Sequence, residues 1–230
     1  MKHIFKRELW AYFAAPTGYI FLGISFFVTG MIFVIYNLIY GIGDFLGYFQ
    51  NIQLIFLLLV PILTMRLFAE DKKSGTEQLL YTSPLSVGEI AVGKFLSAVT
   101  LFLLTVLYMA VFPIVLAQYA QIQVGMTAVI YIGFFLQGTA LISIGMLISA
   151  LSENQMTAAV ISFFVMLVFY LSDWIAAAVK IGKILALISP ISRFTGFTMG
   201  ILDIPTLIYY LTFTALCLIL TETVMRIKRS

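Results

Sequence analysis

Met65-Arg66-Leu67-Phe68-Ala69-Glu70-Asp71-Lys72-Lys73-Ser74-Gly75-Thr76-Glu77-Gln78-Leu79-Leu80 is the densest cluster of charge in a chain that is otherwise almost wholly apolar. Its polar character continues through Ser83-Pro84 to Lys94. Apolar stretches of membrane-crossing length flank it, so it reads as an aqueous loop, 66–92, between two spans. Four acids (Glu70, Asp71, Glu77, Glu89) are mixed with Arg66, Lys72, Lys73 and Lys94. Membrane orientation asks only for the bases; mixed charge suits docking against a protein surface that is itself of mixed charge. Glu70 and Lys73 are spaced for an i,i+3 ion pair, and Gly75 can take the left-handed backbone that ends a helix. The spacing predicts a short amphipathic helix that extends the second span, stops at Gly75 and restarts near Thr76.

Working outward, 62% of the 230 residues are hydrophobic and 10% charged, with a mean hydropathy of +1.09. Soluble domains carry about 25% charged residues, so the chain reads as an all-α membrane protein. Apolar runs at 18–40, 51–67, 93–117, 126–150, 155–178 and 205–225 are each long enough, at about 20 residues, to cross a ~30 Å hydrocarbon layer. Six such helices use up most of a single transmembrane domain, 1–230, and leave no room for a soluble domain of useful size. Nucleotide chemistry would therefore have to reside on another polypeptide. The net charge of +3 sits at the ends of spans and does not mark a nucleic-acid binder. The single cysteine, Cys217, falls inside the last apolar run, where a reduced packing thiol is expected. No cleavable leader is expected, because no small-residue cleavage site closes a short apolar run after Lys2, Lys6, Arg7 and Glu8.

Residues 2–13 place Ile4, Phe5, Leu9, Tyr12 and Phe13 on one half of a helical wheel and His3, Lys6 and Arg7 on the other. That predicts an interfacial helix whose basic side meets anionic headgroups; Glu8 breaks the pattern. His3 has no nearby histidine or cysteine, so no metal role is assigned to it. Pro16 and Gly18 interrupt the chain before the first span. Lys and Arg concentrate on the segments that share a side with the N-terminus, and the opposite side holds only Lys180, Lys183 and Arg193. Both termini are thus expected in the cytoplasm. Ser86-Val87-Gly88-Glu89 reads as a capping box with Leu85 and Ile90 as its staple and Pro84 as a block. The same grammar recurs at Ser152-Glu153-Asn154-Gln155, with Leu151 and Met156 as the staple, and predicts a tight turn between spans four and five. Between spans five and six, the outer segment 180–204 holds apolar runs too short to cross, broken by Pro190 and Gly196. It reads as a broken re-entrant hairpin marked by Pro190, Gly196, Gly200 and Pro205, or as an interfacial amphipathic helix. Gly196 and Gly200 are spaced for close helix contact.

Gly88-Glu89-Ile90-Ala91-Val92-Gly93-Lys94-Phe95 nearly matches a phosphate loop, but Phe95 replaces the magnesium-binding hydroxyl and no strand precedes it. Lys94 is read instead as an interfacial anchor. With one histidine there is no Ser-His-Asp set and no metal-ligand cluster, so no catalytic or metal residues are expected. Asp173 and Glu222 are the ionisable residues nearest to lying within spans; interfacial or paired structural roles are expected for both, Glu222 with Arg226 at i+4.

The stretch Met65–Leu80, followed by Ser83-Pro84-Leu85 and Val92-Gly93-Lys94-Phe95, resembles the loop of type-2 permeases of ABC transporters, nearest to the gliding-motility-associated and nitrous-oxide-cluster permeases. Tyr12-Phe13, Pro16-Thr17-Gly18-Tyr19 and Leu151-Ser152-Glu153-Asn154-Gln155 match as well. Many members have Glu in place of Asp71 and another hydrophobe in place of Tyr81. The resemblance implies an interfacial helix, six spans and a broken hairpin between spans five and six. It implies a homodimer or related heterodimer of permease chains in the cell membrane, with two ABC ATPase subunits beneath and room for an auxiliary extracytoplasmic subunit. ATP and Mg would be bound by the ATPase, not by this chain. Phe68, Glu70, Asp71, Lys72, Lys73, Gly75, Thr76 and Glu77 would form the coupling element seated in a groove of the ATPase. The function so implied is a permease subunit of an ATP-driven exporter. A stand-alone carrier or membrane scaffold without an ATPase is the alternative. The spans' aromatic and aliphatic surface leans towards a lipid-like or amphipathic peptide cargo.

Overall fold

The computed structural model describes residues 2–73, 75, 86–178 and 182–229, and among them every regular element is a helix. Helix α1 (Lys2–Ala14) packs on the side of the bundle. It turns at Ala15 into α2 (Pro16–Phe33), where Pro16 occupies the first helical position, whose amide needs no partner. No side chain fits at residue 18, because a Cβ there would lie closer than 3.0 Å to the Tyr12 carbonyl. Gly18 therefore lets α1 fold back tightly on the first span. A π-helical turn, Val34–Ile39, completes that span, and Asn37 closes it by donating to the carbonyls of Ile42 (2.7 Å) and Asp44 (2.8 Å).

Span two runs through α3 (Leu46–Thr64) and α4 (Arg66–Lys73) with a break at Met65. Span three is α5 (Val87–Met109) with α6 (Val111–Leu116), span four is α7 (Val124–Leu151), and span six is α12 (Ile204–Arg229). Five of these units are long and apolar enough to cross a membrane. The sixth is broken: α8 (Gln155–Tyr170) and α9 (Ser172–Ala178) meet at 52°. The sequence places a span over 155–178, and the structure puts both of these helices within it. The bend arises where the Phe169 carbonyl accepts hydroxyl protons from Ser172 (2.6 Å) and Ser189 (2.9 Å), side chains intruding on the helical ladder.

The hairpin consequently begins earlier than 180. Its arms are α9 and α10 (Gly182–Ile188), which touch backbone to backbone at Gly182, where a Cβ would meet Ile175 and Ala176 closer than 3.0 Å. Pro190 is buried in the turn that follows, its carbonyl accepting from Tyr210 (2.5 Å). A 3₁₀ turn (Ser192–Phe194) and α11 (Thr195–Thr198) come next, with Gly200 at φ +73° after α11 and Pro205 in the first turn of α12. Gly196 faces open space, so the expected Gly196/Gly200 contact pair is not one: Gly200 serves the backbone, and Gly196 meets nothing. Close approaches do occur on α7, at Gly133, Gly138 and Gly145.

Helix α7 is the axis of the fold, packing against α3, α4, α5, α8 and α12. Aromatic rings fill the half away from the termini: Phe49, Tyr131, Phe134 and Phe194 interlock, and Phe33 stacks on Phe112 at 4.6 Å. Near the middle, Gln53 donates to Gln137 at 2.9 Å, a pairing of the kind that holds helices together inside lipid. Cys217 is a buried free thiol.

Candidate functional site

At the end of the bundle that carries both termini, four helices converge on α4. The Ser86 hydroxyl accepts from the Glu89 amide (3.2 Å), and the Glu89 carboxylate accepts from the Ser86 amide (3.2 Å), so the capping box starts α5 as its sequence predicts. Those hydrogen bonds from Ser86 hold the Glu89 carboxyl below its ordinary pKa. Two turns later α5 delivers Lys94 into the protein. Its side chain is 1% exposed, with the ammonium 2.7 Å from Asp71 on α4, 3.2 Å from Glu8 on α1 and 5.3 Å from the centre of the Phe68 ring. Lys94 is therefore no interfacial anchor. The two carboxylates compensate its charge where lipid headgroups cannot reach. Glu8, the residue that breaks the amphipathic pattern of α1, points inward to make this pair.

A second cation organises the other side of α4. Arg66 pairs with Glu70 (2.6 Å, i,i+4), lies over the Tyr12 ring at 4.9 Å and donates to the Thr17 hydroxyl. Tyr12 in turn donates to the Leu63 carbonyl (2.8 Å), and its burial pushes the phenol pKa up. The described partner of Glu70 is thus Arg66; the Lys73 side chain, which spacing offers it, lies outside the described residues.

The end of α7 is tied down as well. Lys72 donates to the carbonyls of Ala150 and Ser152, both at 2.6 Å, and Lys228 of α12 reaches Ala150 at 2.8 Å. Cations are favourable there because the last carbonyls of a helix have no ladder partners and carry its negative dipole end. Ser152 belongs to this C-terminus, its hydroxyl bonding back to Ile148; the cap of α8 is Asn154, which accepts from Thr157 at 2.9 Å. The expected box at Ser152 is displaced because that residue is already committed, and Leu151 and Met156 are exposed rather than stapled. Glu222 pairs with Arg226 at 2.6 Å, as its spacing predicts.

Of the eight residues singled out, Phe68, Asp71 and Lys72 turn inward as fasteners to α1, α5 and α7. Glu70 is more exposed, and Gly75 (φ +70°) is exposed past the end of α4, its amide bonded to the Lys72 carbonyl at 3.2 Å. Thr76, Glu77, Ser83, Pro84 and Leu85 lie outside the described residues. Sequence reasoning missed Glu8, Tyr12, Ser149 and the inward turn of Lys94. The misfit of Glu8 on its wheel was the one legible signal. Among the described residues no three of His, Cys, Asp and Glu are grouped to hold a metal ion.

Residues 42–230 match the family model described as ABC-2 family transporter protein. The chain belongs to that family. No curated relative matches it. As a member of the ABC-2 family it is a multi-pass membrane protein and a transport subunit, with α4 bonded to α1, α2, α5 and α7.

Proposed function

We propose that this ABC-2 protein is the permease subunit of an ATP-driven exporter in the cell membrane, both termini cytoplasmic, working as a homodimer or heterodimer over two ABC ATPase subunits. ATP and Mg stay on the ATPase. What supports the coupling reading most is the fastening of α4: one short helix is bonded to α1 and α5 through Lys94, to α1 and α2 through Arg66, and to α7 through Lys72. Movement of its exposed tip at Gly75 is then passed to several spans at once, as a lever needs. ATP-driven closure of the partner would push on that tip and open a path between permease halves to the far side.

Two experiments test this. Affinity-purified wild-type complex is expected to carry a stoichiometric ATP-binding subunit; its absence would overturn the proposal in favour of a stand-alone carrier or scaffold. Gly75→Val forces a β-branched residue into left-handed backbone at about 1–2 kcal/mol, with no neighbour to clash among the described residues. Glu70→Lys sets two cations side by side at the tip. Both variants are expected to insert and bind the ATPase while coupled turnover falls about fivefold or more. Unchanged turnover in both would count against the lever.

A further inference from the structure

Span two breaks at Met65 for a specific reason. In an unbroken helix the Ala69 amide would donate to the Met65 carbonyl. Instead the Ser149 hydroxyl of α7 sits in that rung: it accepts from the amides of Phe68 (3.1 Å) and Ala69 (3.2 Å) and donates to the Met65 carbonyl (3.0 Å). Ser149 is fully buried. One turn earlier Pro61 has no amide to give the Leu57 carbonyl, so the ladder of span two is interrupted twice within about two turns. The aliphatic hydroxyls of Thr139, Ser143 and Ser152 each donate to a carbonyl of their own helix. Of these four, Ser149 alone donates its proton outside its own helix.

We infer that Ser149 is the positioning residue of α4: an inserted hydroxyl that fixes the angle between α3 and α4 and makes α7 turn with α4. This rests on the reading of α4 as the coupling element. A hydroxyl with three bonds in one rung can tilt without losing all of them, and a continuous backbone rung cannot. Without the hydroxyl, two buried amides either lose their partner or re-form the straight ladder, and each outcome unlinks α4 from α7.

The test uses Ser149→Ala in the full complex in lipid nanodiscs, with Ser143→Ala as the control that removes an equally buried hydroxyl of α7, one bonded to its own helix and to Cys217 of α12 but not to α4. Hydrogen exchange of the peptide spanning 65–70 should change about tenfold in Ser149→Ala and stay at the wild-type rate in Ser143→Ala. ATP turnover of the assembled complex should fall about tenfold in the first and hold in the second. Ser149→Thr, which keeps the hydroxyl, should restore both. Unchanged exchange in Ser149→Ala, or altered exchange with wild-type turnover, overturns the inference. Failure of wild-type chain to hold an ATPase would strike the proposed function instead, and the exchange measurement would still decide whether Ser149 sets the junction.

Discussion

Lys94→Met is expected to cost about 3 kcal/mol and to lower the melting temperature of the purified protein more than any other single replacement at the charged end. The side chain is almost completely enclosed, and its ammonium is shared between Asp71 and Glu8, whose side chains are 18% and 14% exposed. Methionine fills similar volume, so packing is largely kept while the charge is lost. Two carboxylates are then left facing one another with little water. Breaking a buried pair in this way costs about 3–5 kcal/mol, and the lower figure applies because both carboxylates retain some solvent. The partners are not equivalent. Glu8 also holds Arg7 at 2.5 Å, so Glu8→Gln should be milder than Lys94→Met, leaving Lys94 its closer partner Asp71. The triple variant Lys94→Met, Glu8→Gln, Asp71→Asn should recover most of the loss, since removing every member of a buried ionic set is often neutral. A Lys94→Met protein as stable as wild type in thermal unfolding would mean that the charges are solvated and the three helices are held by apolar contact alone.

The composition, the spacing of apolar runs and the clustering of charge carried the architecture, because lipid imposes one strong rule on backbone hydrogen bonding and leaves helices as the solution. Local grammar carried the Ser86 box, the Glu222–Arg226 pair and the left-handed Gly75, each set within five residues of sequence. What was not legible depends on neighbours distant in the chain. Lys94 looks like any base at the mouth of a span until α1 and α4 bring acids to it from 86 and 23 positions away. The break at Leu171 depends on Ser189, and the break at Met65 on Ser149, hydroxyls that no periodicity marks. The Ser152 box failed for a related reason: its hydroxyl had a competing partner one turn back.

Glycine spacing misled most. The pair Gly196 and Gly200 has the separation of a helix-contact motif, yet three of the contacts that require glycine are on α7, and these give the second large prediction. A Cβ on residue 138 would sit closer than 3.0 Å to the ring of Phe102, and that ring is fully buried with Phe56 and Phe134 at 5.6 Å and Phe135 stacked at 6.2 Å. The cavity that the ring and Gly138 share, about 10 Å³, is smaller than the displaced ring needs, so a methyl group must push α5 away from α7. Overpacking of this kind costs about 1–3 kcal/mol, and Gly138→Ala should reach the upper figure; Gly138→Leu should yield no folded protein. Alanine is otherwise the better helix former by about 0.5–1 kcal/mol, so at a site without neighbours the same change should be neutral or stabilising. Gly23→Ala in the first span, where nothing lies within 4 Å, is that control. Pairing Gly138→Ala with Phe102→Leu shortens the obstructing side chain and should return most of the lost stability, measured as melting temperature in one detergent. If Gly138→Ala matched Gly23→Ala, the axes of spans three and four would stand further apart than described, and α7 would not be the closely packed axis of the fold.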